Sequence, residues 1–167
     1  MSIDAAICIA SARALTADAG KVRWGIEYPT DWPYWTFQPL AIGAGSTFGR
    51  VRSLMGTEAA SLALYDDPEL VHDIIEANCR HNRQHIFPLI ERLRPEIVVC
   101  WEDIGYKTSM LIGPEAFRRF CAPLYREVAD CARACGVSVL AVDSDGCAMQ
   151  LVPLLVECGF NALYPFE

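Results

Sequence analysis

Three short apolar runs in this sequence end in acids. Ile97-Val98-Val99-Cys100-Trp101 is followed by Glu102 and Asp103, Val137 to Val142 by Asp143 and Asp145, and Asn161 to Tyr164 by Glu167. Runs this short and this rich in strand formers read as strands, and apolar residues without alternation imply parallel strands covered on both faces. Parallel strands put their carboxyl ends on one side of a sheet, where α/β proteins build their sites. The acids are therefore expected around one crevice. Grouped carboxylates can hold a cation, bind a metal, or divide into an acid and a base because like charges raise one pKa. The competing role for any one of them is to cap a helix or solvate a loop end. Asp143 and Asp145 are the expected functional centre, with Glu102, Asp103 and Glu167 beside them. Asp145 also caps the following helix in this reading, and Asp143, nearer its strand, is the proton donor or cation holder. Gly146 lets the chain turn sharply after them.

The elements that must position these acids alternate along the chain. Pro39 to Gly43 is a short apolar run, and Gly45-Ser46-Thr47-Phe48-Gly49 reads as a turn before a helix from Arg52 to Tyr65. Asp67, Pro68 and Glu69 form a strong helix start. Val71, Ile74, Ile75, Ile86, Ile90 and Leu93 lie near one face of that helix, which Pro88 should kink or split. A third helix begins at Pro114-Glu115 and buries Phe117, Phe120, Cys121, Leu124, Val128, Ala132 and Cys135 before Gly136 stops it. A last helix spans about Ala148 to Cys158. The order strand, helix, strand, helix, strand fits βα units.

The chain has 167 residues, 53% of them apolar and 21% charged, as expected of a folded domain. Its net charge of −7 argues against a non-specific nucleic-acid binder. No apolar run approaches the ~20 residues of a membrane span. Ala5 to Ala14 lacks a basic flank and does not read as a signal peptide. The eight cysteines are scattered through periodic segments, which indicates reduced, mostly buried thiols and a cytoplasmic protein.

Other chemistry-bearing patterns are weaker. Gly43-x-Gly45-x-x-x-Gly49 misses the dinucleotide spacing and lacks a Walker lysine. Cys131 and Cys135 are one turn apart on an apolar face, which favours packing over metal binding. His81 and His85 have i, i+4 spacing without the glutamate of a metalloprotease helix, and with His72 they read as outer-face residues. Trp24, Tyr28, Trp32, Tyr34, Trp35 and Phe37, broken by Pro29 and Pro33, read as a packed loop or lid: a hydrophobic plug, or a surface on which a flat ring could stack. Cys147 reads as a plain helix-start thiol.

A resemblance emerges from the motifs in order. Phe48-Gly49-Arg50-Val51-Arg52-Ser53-Leu54-Met55-Gly56 and Tyr65-Asp66-Asp67-Pro68-Glu69-Leu70-Val71 come first. Trp101 to Lys107, Gly113 to Phe120 with Pro123-Leu124-Tyr125, Val142 to Gly146, and Gly159 to Glu167 follow. Together, over roughly residues 40–167, they resemble the uroporphyrinogen decarboxylase family. Residues 1–39 match it poorly. The resemblance implies a TIM barrel, and with about 250 residues usual for that fold the expectation is a single partial barrel domain, truncated at its C-terminus.

The resemblance implies tetrapyrrole carboxylate decarboxylation, a carboxy-lyase reaction without a cofactor. An aspartate near the pyrrole nitrogens, Asp143 or Asp145, would protonate the ring and hold the resulting cation. Substrate carboxylates need cationic partners, and Arg50, Arg52 and Lys107 lie near the predicted site-side loops. The alternatives are a corrinoid-dependent methyltransferase of the same superfamily, using zinc or a corrinoid, and a non-catalytic barrel remnant. Those methyltransferases carry His-x-Cys-Gly where this chain has Asp143-Ser144-Asp145-Gly146, so no metal ligand is expected here. The implied partner is a small tetrapyrrole or corrinoid-linked molecule, with homo-oligomerisation possible and neither nucleic acid nor membrane involved.

Overall fold

A computed structural model describes residues 39–165. The aromatic segment 24–37, Cys8 and Glu167 lie outside the described residues.

Four strands form one parallel sheet: β1 (Ala41–Gly43), β2 (Ile97–Trp101), β3 (Val139–Asp143) and β4 (Ala162–Tyr164). Their spatial order is β1-β2-β3-β4, the order of the chain. Doubly wound sheets reverse direction at a switch point, and this sheet does not. The expectation of parallel βα units is met. β3 starts and ends slightly later than the apolar run suggests, because its last paired residue is Asp143 itself.

The helices between the strands are α1 (Phe48–Met55), α2 (Thr57–Asp66), α3 (Pro68–His81), α4 (Phe87–Leu93), α5 (Pro114–Ala116), α6 (Ala122–Ala134) and α7 (Leu151–Glu157). The single helix expected over Arg52 to Tyr65 is two. Gly56 sits at φ +84°, a left-handed conformation that closes α1 and starts α2. The helix also begins inside the expected turn, at Phe48, because the carboxyl group of Glu102 draws in its first backbone donors.

The start of α3 is as predicted, with the Asp67 side chain accepting from the Leu70 amide at 3.1 Å and Pro68 in the first turn. The expected split near Pro88 appears as a π turn, Asn82–Ile86, between α3 and α4. A second π turn, Phe117–Cys121, joins α5 to α6.

One apolar cluster joins sheet and helices. Ile42, Val98, Cys100, Leu140 and Val142 face α1, α3, α6 and α7 through Phe48, Val71, Leu124, Val128, Leu151 and Leu154. Within it Phe117 stacks on Tyr125 at 5.6 Å, and Tyr125 meets Phe160 edge-on at 5.1 Å. Strand residues alternate between faces. Ala41, Gly43, Val99, Trp101, Ala141 and Asp143 therefore project to the face opposite the helices.

All seven cysteines among the described residues are free thiols, and Cys79, Cys100, Cys121, Cys135 and Cys158 are buried. Burial pushes the Cys79 and Cys131 thiols up to about 11 and those of Cys100 and Cys121 higher still. These are inert core groups, as the scattered spacing suggests. Among the described residues, no helix is long and apolar enough to cross a membrane.

Candidate functional site

The ends of β2 and β3 are bolted together before any acid is placed. The Glu102 amide donates to the Asp143 carbonyl at 2.8 Å and the Ser144 amide to the Tyr164 carbonyl at 2.9 Å. Ser144 is buried, and its hydroxyl accepts from the amides of Ile104 and Gly105 at 3.0 and 3.3 Å. The Cys147 amide closes the junction on the Tyr106 carbonyl at 2.7 Å. Gly105 and Gly146 make this crossing possible. A Cβ at Gly105 would stand 2.2 Å from the Asp145 carbonyl oxygen, and one at Gly146 would meet the Gly105 and Tyr106 backbone at 2.9 Å. Gly105→Ala must force two backbones apart, and we expect it to cost about 1–3 kcal/mol in a denaturation titration. A cost near zero would mean the two loops are not held together as described.

The four strand-end acids that the structure describes occupy different environments. Glu102 is fully buried. Its carboxyl group accepts from the Thr47 amide at 2.9 Å, the Thr47 hydroxyl at 2.9 Å, the Gly49 amide at 2.8 Å and the Tyr125 hydroxyl at 2.6 Å. Four donors saturate both oxygens, so Glu102 is placed to anchor the N-terminus of α1 to the end of β2 rather than to meet a substrate. Burial, and next the Glu102 charge, hold Tyr125 well above the ordinary tyrosine range, which keeps its hydroxyl a donor.

Asp103 stands at φ +46°, a strained conformation for a residue with a side chain. Its carboxylate accepts from Arg52 at 3.1 Å on one oxygen and from the Asp145 amide at 3.5 Å on the other. The Arg52 guanidinium lies 5.8 Å from the centre of the Trp101 ring, on its face. Asp103 thus meets both Arg52 and the Asp145 backbone amide. Asp145 is exposed and does not cap the next helix. That helix is α7, which begins only at Leu151 and has no side-chain cap. The expected cap fails because residues 146–150 turn before they wind.

Asp143 is half-buried and in register between Trp101 of β2 and Tyr164 of β4. All three project to the face opposite the helices, since Cys100 and Val142 enter the core and Leu163 packs against it. One residue-pair further into the sheet, Gly43, Val99, Ala141 and Ala162 form a row of small side chains on that face. The result is a carboxylate in register between two aromatic residues; in the adjoining row Val99 and Ala141 are buried. Lys107 is exposed on the β2 loop, and Arg50 lines a neighbouring cleft instead of facing Asp143. His72, His81 and His85 are exposed, as expected of outer-face residues, with the His81 and His85 rings 5.0 Å apart.

The sequence argument placed Glu102 beside Asp143 and Asp145 as a site acid and gave no role to Tyr125, Thr47 or Ser144. A signal existed for Ser144, lying between two acids after a strand. Thr47 and Tyr125 are 55 and 23 residues from Glu102, beyond any local pattern.

Zinc does not fit this donor set. Ser144 is committed to the Ile104 and Gly105 amides, and aspartates are hard ligands. Among the described residues no three His, Cys, Asp or Glu groups could hold a metal ion. Comparison with models of known protein families gives no match, and comparison with curated proteins gives none either.

Proposed function

We propose that this chain is part of a βα-barrel enzyme of the uroporphyrinogen decarboxylase type, and that it removes carboxylate groups from a flat polycarboxylate tetrapyrrole. The observation that carries the reading is Asp143 between Trp101 and Tyr164, above the small-residue row Gly43, Val99, Ala141 and Ala162. Aromatic neighbours can stack on a flat ring, and a pyrrole that takes up a proton needs a carboxylate beside its nitrogens. Chain-ordered parallel strands with their helical core on one face support the barrel, whose interior would be the face that bears Asp143.

In this reading protonation of a pyrrole carbon creates a ring cation held by Asp143. The electron pair of the C–CO2 bond then neutralises that cation as CO2 leaves; the side-chain carbon takes up a proton and the ring carbon releases the one it had gained, so that one proton replaces the CO2 overall. Arg52 and Lys107, at the rim, meet the substrate's remaining carboxylates. Asp103 pairs with Arg52 on α1, and the Asp145 amide donates to Asp103. The free thiols suit a reducing, cytoplasmic setting.

The test is anaerobic incubation of the complete protein with uroporphyrinogen, followed by oxidation and chromatography of the porphyrins. Products with fewer carboxylates are expected. An intact substrate, with methyl transfer from a methylcorrinoid to a thiol in a parallel assay, would overturn the reading in favour of the methyltransferase branch.

A further inference from the structure

The first π turn carries two histidines that the Asp143 site does not use. His81 is the last residue of α3, and His85 lies within the turn Asn82–Ile86. In an α-helix, with 3.6 residues per turn, a residue four positions on runs slightly ahead of its predecessor; in the wider π turn it lags. Where α3 passes into the π turn the two effects oppose each other, and His85 comes nearly over His81. The ring centres are 5.0 Å apart, the planes tilted by 47°, and both residues are exposed. Single π turns within helices are frequent at functional sites.

The backbone between the two rings is fixed from both sides. On the inner side, Asn82 is buried and its Nδ2 donates to the Ala44 carbonyl at 2.9 Å. On the outer side, Arg83 donates to both carboxylate oxygens of Glu127 on α6, at 2.6 and 3.0 Å, and to Glu76 on α3 at 2.8 Å. A ligand held between the two rings therefore has little backbone left to order.

We propose that His81 and His85 chelate one divalent transition-metal ion of the zinc, nickel and copper group. Such ions favour imidazole nitrogen, whereas magnesium and calcium seek oxygen. Two imidazole nitrogens bound to one ion at about 2.0–2.1 Å place their ring centres about 4.5–5 Å apart, which is the separation found here. Water completes the coordination, and the ion ties the last turn of α3 to the π turn. The site is independent of the tetrapyrrole reading, since neither histidine has a part in it.

Calorimetric titration of the complete, tag-free protein with nickel under reducing conditions tests this. Nickel should bind, and calcium in excess should not displace it. His81→Gln and His85→Gln should each weaken nickel binding about a hundredfold, because either change turns a chelate into a single contact. Both side chains are exposed, so the metal-free melting temperature of each variant should stay close to that of the unaltered protein. His72→Ala, a change to an exposed histidine elsewhere on α3, should leave binding unchanged. Absence of nickel binding, binding that survives either glutamine substitution as ligation by thiols would, or an equal loss on His72→Ala would overturn the proposal.

Discussion

Replacing Glu102 with alanine is expected to destabilise the fold by about 3–5 kcal/mol, the range for removing one side of a buried charged network. The substitution strands four donors at once: the Thr47 and Gly49 amides and the hydroxyls of Thr47 and Tyr125. Tyr125 itself packs between Phe117 and Phe160, so its hydroxyl cannot turn to water without disturbing both. Glu102→Gln keeps the volume but replaces an acceptor oxygen with an NH2 that faces backbone donors. It should cost less than alanine and still more than a typical surface change. Urea denaturation of the three proteins checks the ranking. A loss below about 1 kcal/mol for Glu102→Ala would show that α1 does not depend on this clasp.

Phe117→Ala is expected to cost about 4–5 kcal/mol and Phe120→Ala about 3 kcal/mol, within the range for buried aromatic truncations. Periodicity makes these two residues equivalent, one turn apart on the same helical face. The structure separates them. Phe117 is fully buried against Tyr125, while Phe120 retains 6% exposure and carries the Arg119 guanidinium 4.7 Å from its ring centre. The space left by Phe117 would open beside the Tyr125–Glu102 bond and weaken the clasp as well. Equal losses, or a larger one for Phe120, would mean that burial against Tyr125 is not what sets the cost.

Three of the four strands were legible in the sequence because their signals are local; β1 read only as a short apolar run. Ile97 to Trp101 is apolar throughout and is followed by acids, and that run is β2 to the residue. The start of α3 was equally plain, since Asp67 and Pro68 act on the next three residues. Gly56 was the local signal that was misread, a left-handed residue dividing one apparent helix into two. What could not be read was which acid does what. Glu102 and Asp103 are adjacent, yet one is enclosed by four donors and the other stands in an ion pair with Arg52 at the rim. That difference depends on partners contributed by α1 and α6, and no spacing within the β2 loop encodes them. The same holds for Arg50 and Arg52, two residues apart on α1 and directed to different places.

The account assigns structure to Glu102 and chemistry to Asp143, and one comparison tests that division. In the complete protein, Asp143→Asn should abolish most uroporphyrinogen decarboxylation while shifting the melting temperature little, because the substitution keeps the side chain's shape and leaves intact the backbone carbonyl that receives Glu102. If Asp143→Asn instead unfolds the protein, or lowers stability while each folded molecule retains full activity, then Asp143 is a structural residue and the proposed centre is wrong.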